Sequence, residues 1–170
     1  AVDNSRFVEE DYNNVTTYGG RAALRIELND SWTVTPTVMG QMQESNGYFG
    51  YDRLLGPNKV AHARPETFDD NWVQAALTVE GKVGNFDMVY AGAYMVRDVD
   101  GDSDYQDYSF WYDELFGSGA YWVDNNGDYV SDPGQYIQSQ DNFTKQSHEL
   151  RISSPQDQRL RYTVGAFYQK

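Results

Sequence analysis

Six stretches of this chain alternate apolar and polar residues with period two, and that pattern constrains the fold more than any other feature. In "RAALRIEL", Ala22, Leu24, Ile26 and Leu28 fall on one face, with Arg21, Ala23, Arg25 and Glu27 on the other. After "NDSW", the run "TVTPTVMGQMQ" sets Val34, Pro36, Val38 and Met42 against Thr33, Thr35, Thr37, Gln41 and Gln43. The pair reads as a hairpin. A second hairpin joins "WVQAALTVE" to "FDMVYAGAYMV" across "GKVGN", with Val73, Ala75, Leu77 and Val79 on one face and Gln74, Thr78 and Glu80 on the other. The third joins "TKQSHELRIS" to "RLRYTVGAFYQ" across "SPQDQ", placing Leu150 and Ile152 opposite Ser147, Glu149 and Arg151.

The connections alternate as regularly as the residues. Turns within a hairpin are short, whereas the links between hairpins, residues 46–71 and 98–141, exceed the usual range for compact domains. Each strand segment is about ten residues, longer than the usual five or six and close to the nine to eleven that cross a bilayer when tilted. The spacing therefore predicts an all-β, antiparallel, up-and-down transmembrane barrel segment of about six long strands. Its parts are a loop over 1–17, a hairpin over 18–45, an extracellular loop over 46–71, a hairpin over 72–97, an acidic extracellular loop over 98–141 and a hairpin over 142–170. Aromatic residues at segment ends, namely Trp32, Trp72, Phe86, Tyr94, Phe143 and Tyr168, fit girdles at the two membrane interfaces. Alternation alone leaves a second architecture open. In a soluble, secreted β-sandwich the apolar face packs on another sheet, and long loops would bind calcium or carbohydrate.

Composition narrows the partners. Across 170 residues, 26 acids face 13 Lys and Arg, a net charge of -13 that suits neither phosphate neutralisation nor any other nucleic-acid surface. The chain has no cysteine, which removes disulfides, thiolate metal sites and thiol nucleophiles. No apolar run is long enough for a helical span, and "AVDNSRFVEEDYNN" carries no signal-peptide pattern.

At "TTYGGRAALRIELNDSWTVTPTVMGQ", and more specifically at "FTKQSHELRISSPQDQRLRYTVGAFYQ", the sequence resembles the barrel of TonB-dependent outer-membrane receptors of Gram-negative bacteria. The resemblance implies a 22-stranded barrel, a plug domain in its lumen, and active uptake of a scarce ligand of the siderophore, cobalamin or carbohydrate class. Lipid, the rest of the barrel and its plug would be the partners, with TonB engaged through a part that precedes this stretch. Six strands do not close such a barrel, so the chain reads as an internal piece of a longer receptor.

Two loop motifs invite a chemical reading. "DVDGDSD" spaces Asp98, Asp100, Asp102 and Asp104 at alternate positions around Gly101, the kind of oxygen-rich turn that suits calcium. "DNNGDYVSD" offers Asp124, Asn126, Asp128 and Asp132 similarly. Neither completes an EF-hand, and Asp, Asn and Gly also make ordinary turns. Between Asp98 and Asp141 stand eleven acids and no Lys or Arg, so repulsion would favour a bound cation. The same loop carries "YQDYSFWYDELF", a weak helical pattern over 108–116, then "AYWV". Its rings Tyr108, Trp111, Tyr112 and Trp122 are candidate ligand contacts, or else pack the loop on itself. Arg21, Arg25, Glu27, Glu80, Glu149, Arg151, Arg159 and Arg161 would line the polar face as cross-strand salt bridges. His62 and His148 stand apart in the sequence, and no nucleophile elbow, P-loop, GxGxxG or HExxH occurs, so the chain is not read as an enzyme.

Overall fold

The computed structural model describes residues 4–116, 126–128 and 135–170. A 3-10 turn at Ser5–Phe7 precedes β1 (Asn14–Ala23), β2 (Ile26–Asn29), β3 (Trp32–Asn46), β4 (Thr67–Val83) and β5 (Phe86–Asp104). Helix α1 (Gln106–Phe116), β6 (Tyr136–Ser153) and β7 (Thr163–Gln169) follow. The seven strands form one open antiparallel sheet in the order β1-β3-β4-β5-β6-β7, with β2 also paired to β3.

The expected three hairpins are present, with four differences. First, the opening strand is broken into β1 and β2, so there are seven strands. The break lies opposite Pro36: Leu24 donates its N–H to the Pro36 carbonyl at 3.1 Å, but proline has no N–H to return. Second, β4, β5 and β6 run to 17, 19 and 18 residues, well past the ten expected. Asp98, Asp100, Asp102 and Asp104 therefore belong to strand β5, not to a loop tip. Third, β7 starts at Thr163, so the last turn is wider than "SPQDQ" and Arg159 and Arg161 lie in it instead of on a strand face. A two-bond neck holds that turn, with Ser154 N–H on the Tyr162 carbonyl and Tyr162 N–H on Ser154 Oγ, each at 2.9 Å. The β2–β3 and β4–β5 turns are tight, two residues each, and the second has Gly84 at φ +62, a conformation that glycine adopts without a Cβ clash.

The fourth difference concerns the faces. The chain divides into two compact units, and the one made of Thr17–Met42, Asp70–Asp98 and Asn142–Lys170 holds most of the sheet. Within it, side-chain contacts fix which residues share a face. Tyr90 meets His148, His148 is paired with Tyr168, Ile26 with Val34, and a Cβ on Gly81 would strike the Trp32 ring. A Cβ on Gly40 would touch Val73. One face thus carries Val34, Val38, Met42, Val73, Leu77, Phe86, Tyr94, Leu150, Ile152, Val164 and Tyr168. On the other, Asp70 grips Arg97, and Arg97 in turn lies over the Phe143 ring at 5.9 Å. Phe143 consequently sits on the polar face, as does Trp72, two residues along from Asp70. Neither belongs to the apolar girdle expected from the sequence.

Burial runs opposite to a soluble sheet. On β4, Val73, Ala75 and Leu77 are exposed while Gln74, Ala76 and Thr78 between them are half-buried. Met42 is 64% exposed and Val164 65%. Among the described residues Val99 is the one buried hydrophobic side chain. Burying a Val or Leu normally contributes about 1.5–3 kcal/mol, so a face this apolar and this open calls for a cover.

The polar face is tied by charge. Arg97 donates to both Asp70 oxygens at 2.7 and 2.6 Å, a forked pair across β4 and β5. Lys82 and Asp87 make a second, longer contact across the same two strands at 3.7 Å, whereas Arg151 with Glu149 at 3.1 Å and Arg25 with Glu27 at 3.4 Å run along the chain, where cross-strand ladders were expected. Replacing Arg97 with methionine is expected to lower stability, because Asp70 loses both of its donors. The midpoint of urea unfolding measures it, and the exposed Arg25→Met should shift that midpoint far less.

Candidate functional site

The second unit comprises Ala1–Thr16, Gln43–Asp69 and Val99–Asp141. Its organising residue is Glu66, just before β4. The Glu66 backbone N–H donates to the Tyr12 hydroxyl at 2.8 Å, and its carbonyl accepts the Gly47 N–H at 2.8 Å. One carboxylate oxygen contacts His62 Nδ1 at 2.7 Å, and the other accepts the Asp104 N–H at 3.2 Å. Three distant segments, at Tyr12, Gly47 and Asp104, therefore converge with the neighbouring His62 on a single residue that is 9% exposed.

Asp104 continues the knot. Its Oδ2 accepts N–H groups from Ala63 and Arg64, and its Oδ1 accepts the Gln106 N–H at 2.9 Å, where α1 begins. Asn4 adds a bond from its side-chain amide to the His62 carbonyl at 2.9 Å. Gly47 permits the approach: at φ +87, a Cβ there would stand 2.8 Å from Asn13. Burial pushes the Tyr12 phenol up from its ordinary value, against the opposing pull of the Glu66 N–H on its oxygen.

Beside this knot the chain encloses a cleft of about 950 Å³ between residues 4–13 and 48–65. Tyr48 stands in it with its ring centroid 4.9 Å from that of His62. Gly50 lies under the same ring, so close that a Cβ would meet it at 2.2 Å. Phe49 and Tyr51 line the cleft and are more than half exposed.

Most of the residues expected from the sequence fall into two groups, those on α1 and β5 and those outside the described residues. Tyr108, Trp111 and Tyr112 lie one turn apart on α1 and are brought together, Tyr108 reaching Tyr112 at 4.5 Å and Trp111 at 6.0 Å. Tyr105 joins them 4.9 Å from Tyr108, so the rings pack on one another. The helical pattern expected over 108–116 is α1, two residues longer at its start. Trp122, Asp124 and Asp132 lie outside the described residues. Asp98, Asp100, Asp102 and Asp104 alternate along β5, which spaces neighbouring carboxylates about 7 Å apart along the strand. Asp102 takes a bond from Gln138 at 2.9 Å, and Asp104 is occupied by backbone donors. No cluster of three His, Asp or Glu side chains suited to a metal ion occurs among the described residues.

The sequence reading missed the knot and the cleft. The available signals were His62 and Glu66 four residues apart and the aromatic run "YFGY" at 48–51. No family model matches the chain, and no match is found among the curated proteins or the solved structures.

Proposed function

We infer that this chain is a segment of an outer-membrane β-barrel belonging to a TonB-dependent receptor, and that it serves active uptake of a scarce ligand. The observation that carries this reading is the inverted burial: apolar side chains exposed on one face, polar and small ones half-covered on the other. A bilayer covers such a face without a second sheet. The edges point the same way. β1 and β7 each end the sheet and are exposed throughout, and a sheet in lipid must pair its edges or leave N–H and C=O groups unsatisfied at several kcal/mol each. Further strands of the same barrel would supply the partners. The plug and the TonB contact would belong to other parts of such a receptor, and the long connections between hairpins would lie outside, where ligand arrives.

Short turns on the periplasmic side and long loops on the outside give a direct test, made simple because this chain has no cysteine. In the full-length protein, a cysteine in place of Leu54, which is 94% exposed, is expected to react with a membrane-impermeant maleimide on intact cells. One in place of Asn85 should react only after the outer membrane is permeabilised. Recovery of the protein in the soluble fraction, or equal labelling of both sites, would sink the reading.

A further inference from the structure

We propose that the cleft beside the Glu66 knot binds a neutral oligosaccharide, with sugar rings resting on Tyr48 and Tyr51 and hydroxyls taken by Asn13 and Asn58. Three observations converge on that ligand class.

The first is the rings. Tyr48, Phe49 and Tyr51 are 48%, 64% and 57% exposed although they line a concave wall, where aromatic side chains ordinarily gain by being covered. Tyr48 is fixed in place: His62 abuts it, Glu66 holds His62, and Gly50 fills the remaining approach. A ring immobilised before ligand arrives loses little freedom on binding. The apolar C–H face of a pyranose fits such a surface.

The second is the polar lining. Asn13 and Asn58 border the cleft, and no side-chain hydrogen bond occupies either of them among the described residues. A carboxamide offers an acceptor and two donors in one plane, which matches the alternating donor and acceptor character of adjacent sugar hydroxyls.

The third is charge. Glu9, Glu10 and Asp11 border the cleft, against Lys59 and Arg64, and Arg64 lies over the Tyr136 ring at 4.3 Å. An anionic ligand would enter against three carboxylates and a chain of net charge -13. Uncharged ligands escape that penalty.

This inference rests on the receptor reading for the direction of transport, but binding is measurable without it. The full-length protein, purified in detergent, is titrated calorimetrically with maltohexaose, cellohexaose, xylohexaose and mannohexaose, and with polygalacturonate as the anionic counterpart. At least one neutral hexamer is expected to bind and polygalacturonate not to. Tyr51→Ala and Tyr48→Ala should each weaken binding about tenfold, as expected for loss of a ring contact. Because Tyr48 also packs on His62, Tyr51→Ala is the decisive variant, and its unchanged heat-modifiability on gels serves as the folding control. Absence of binding by all four neutral hexamers overturns the proposal, as does preference for polygalacturonate or an unaltered affinity in Tyr51→Ala. Each of these can occur with the maleimide pattern intact, so failure of the ligand class and failure of the barrel are distinguishable.

Discussion

Replacing Leu77 with arginine is expected to destabilise the protein by about 2–4 kcal/mol in a bilayer, while Thr78→Lys, one position away, changes stability by less than about 1 kcal/mol. The two residues sit on opposite faces of β4, Leu77 in line with the exposed Val73 and Ala75 and Thr78 in line with the half-buried Gln74 and Ala76. Leu77 also lies seven residues from Gly84 at the tight turn, the middle of a strand of bilayer-crossing length, where a charge facing hydrocarbon is most expensive. The contrast has a sign that water cannot imitate. If this face met solvent, Leu77→Arg would remove an exposed hydrophobe, with stability unchanged or raised and solubility improved. Urea unfolding of the two variants in phosphatidylcholine vesicles separates the cases, and a Leu77→Arg protein as stable as the parent would exclude lipid as the cover.

What could be read from the sequence was what repeats. Period-two alternation located the three hairpins and put Val73, Leu77, Leu150 and Ile152 together on one face, because each strand residue declares its face by parity alone. Boundaries were harder, since pairing does not stop where polarity alternation does. Asp98 to Asp104 read as a loop by composition, yet β5 continues through them, helped by a ladder partner in β6, where Gln138 and Ser139 reach Asp102 and Gly101. Trp72 and Phe143 were misplaced for a related reason: an aromatic near a strand end suggests an interface, but parity sets it on the side of Asp70 or Arg97. The break opposite Pro36 was visible only once its partner was known, because a proline's missing donor is felt on the neighbouring strand.

The knot was less legible for a physical reason. Glu66 joins Tyr12, Gly47, His62 and Asp104, contacts up to 54 residues apart, and most of its bonds use backbone groups that carry no sequence signature. The four-residue spacing of His62 and Glu66 was visible, but without a helix to bring the two together it did not say that the carboxylate would hold the histidine against a tyrosine ring. By contrast, the rings of α1 were foreseeable as a cluster, because Tyr108, Trp111 and Tyr112 have helical spacing and neighbouring side chains at three and four residues meet.

The second large effect is expected at Glu66 itself. Glu66→Ala strips the acceptor from the Asp104 N–H and the partner from His62, in a setting where little water can replace either. Bonds to an ionised group contribute about 1.5–3 kcal/mol each, and the loss here should open residues 47–66 locally by about 2–3 kcal/mol. That segment carries Arg53 and Lys59, neither followed by proline, so trypsin reports on its opening directly. When opening is fast relative to cleavage, the rate follows the open population, and cleavage in this loop should rise roughly 30- to 150-fold while the sheet itself keeps its unfolding midpoint. Glu66→Gln retains an acceptor for the Asp104 N–H but turns the His62 contact into a neutral hydrogen bond, so it should fall between the parent and the alanine variant. The graded order matters more than either value. A loop held mainly by its own packing would treat all three proteins alike, whereas a loop held by one buried carboxylate must rank them by how much of that carboxylate survives.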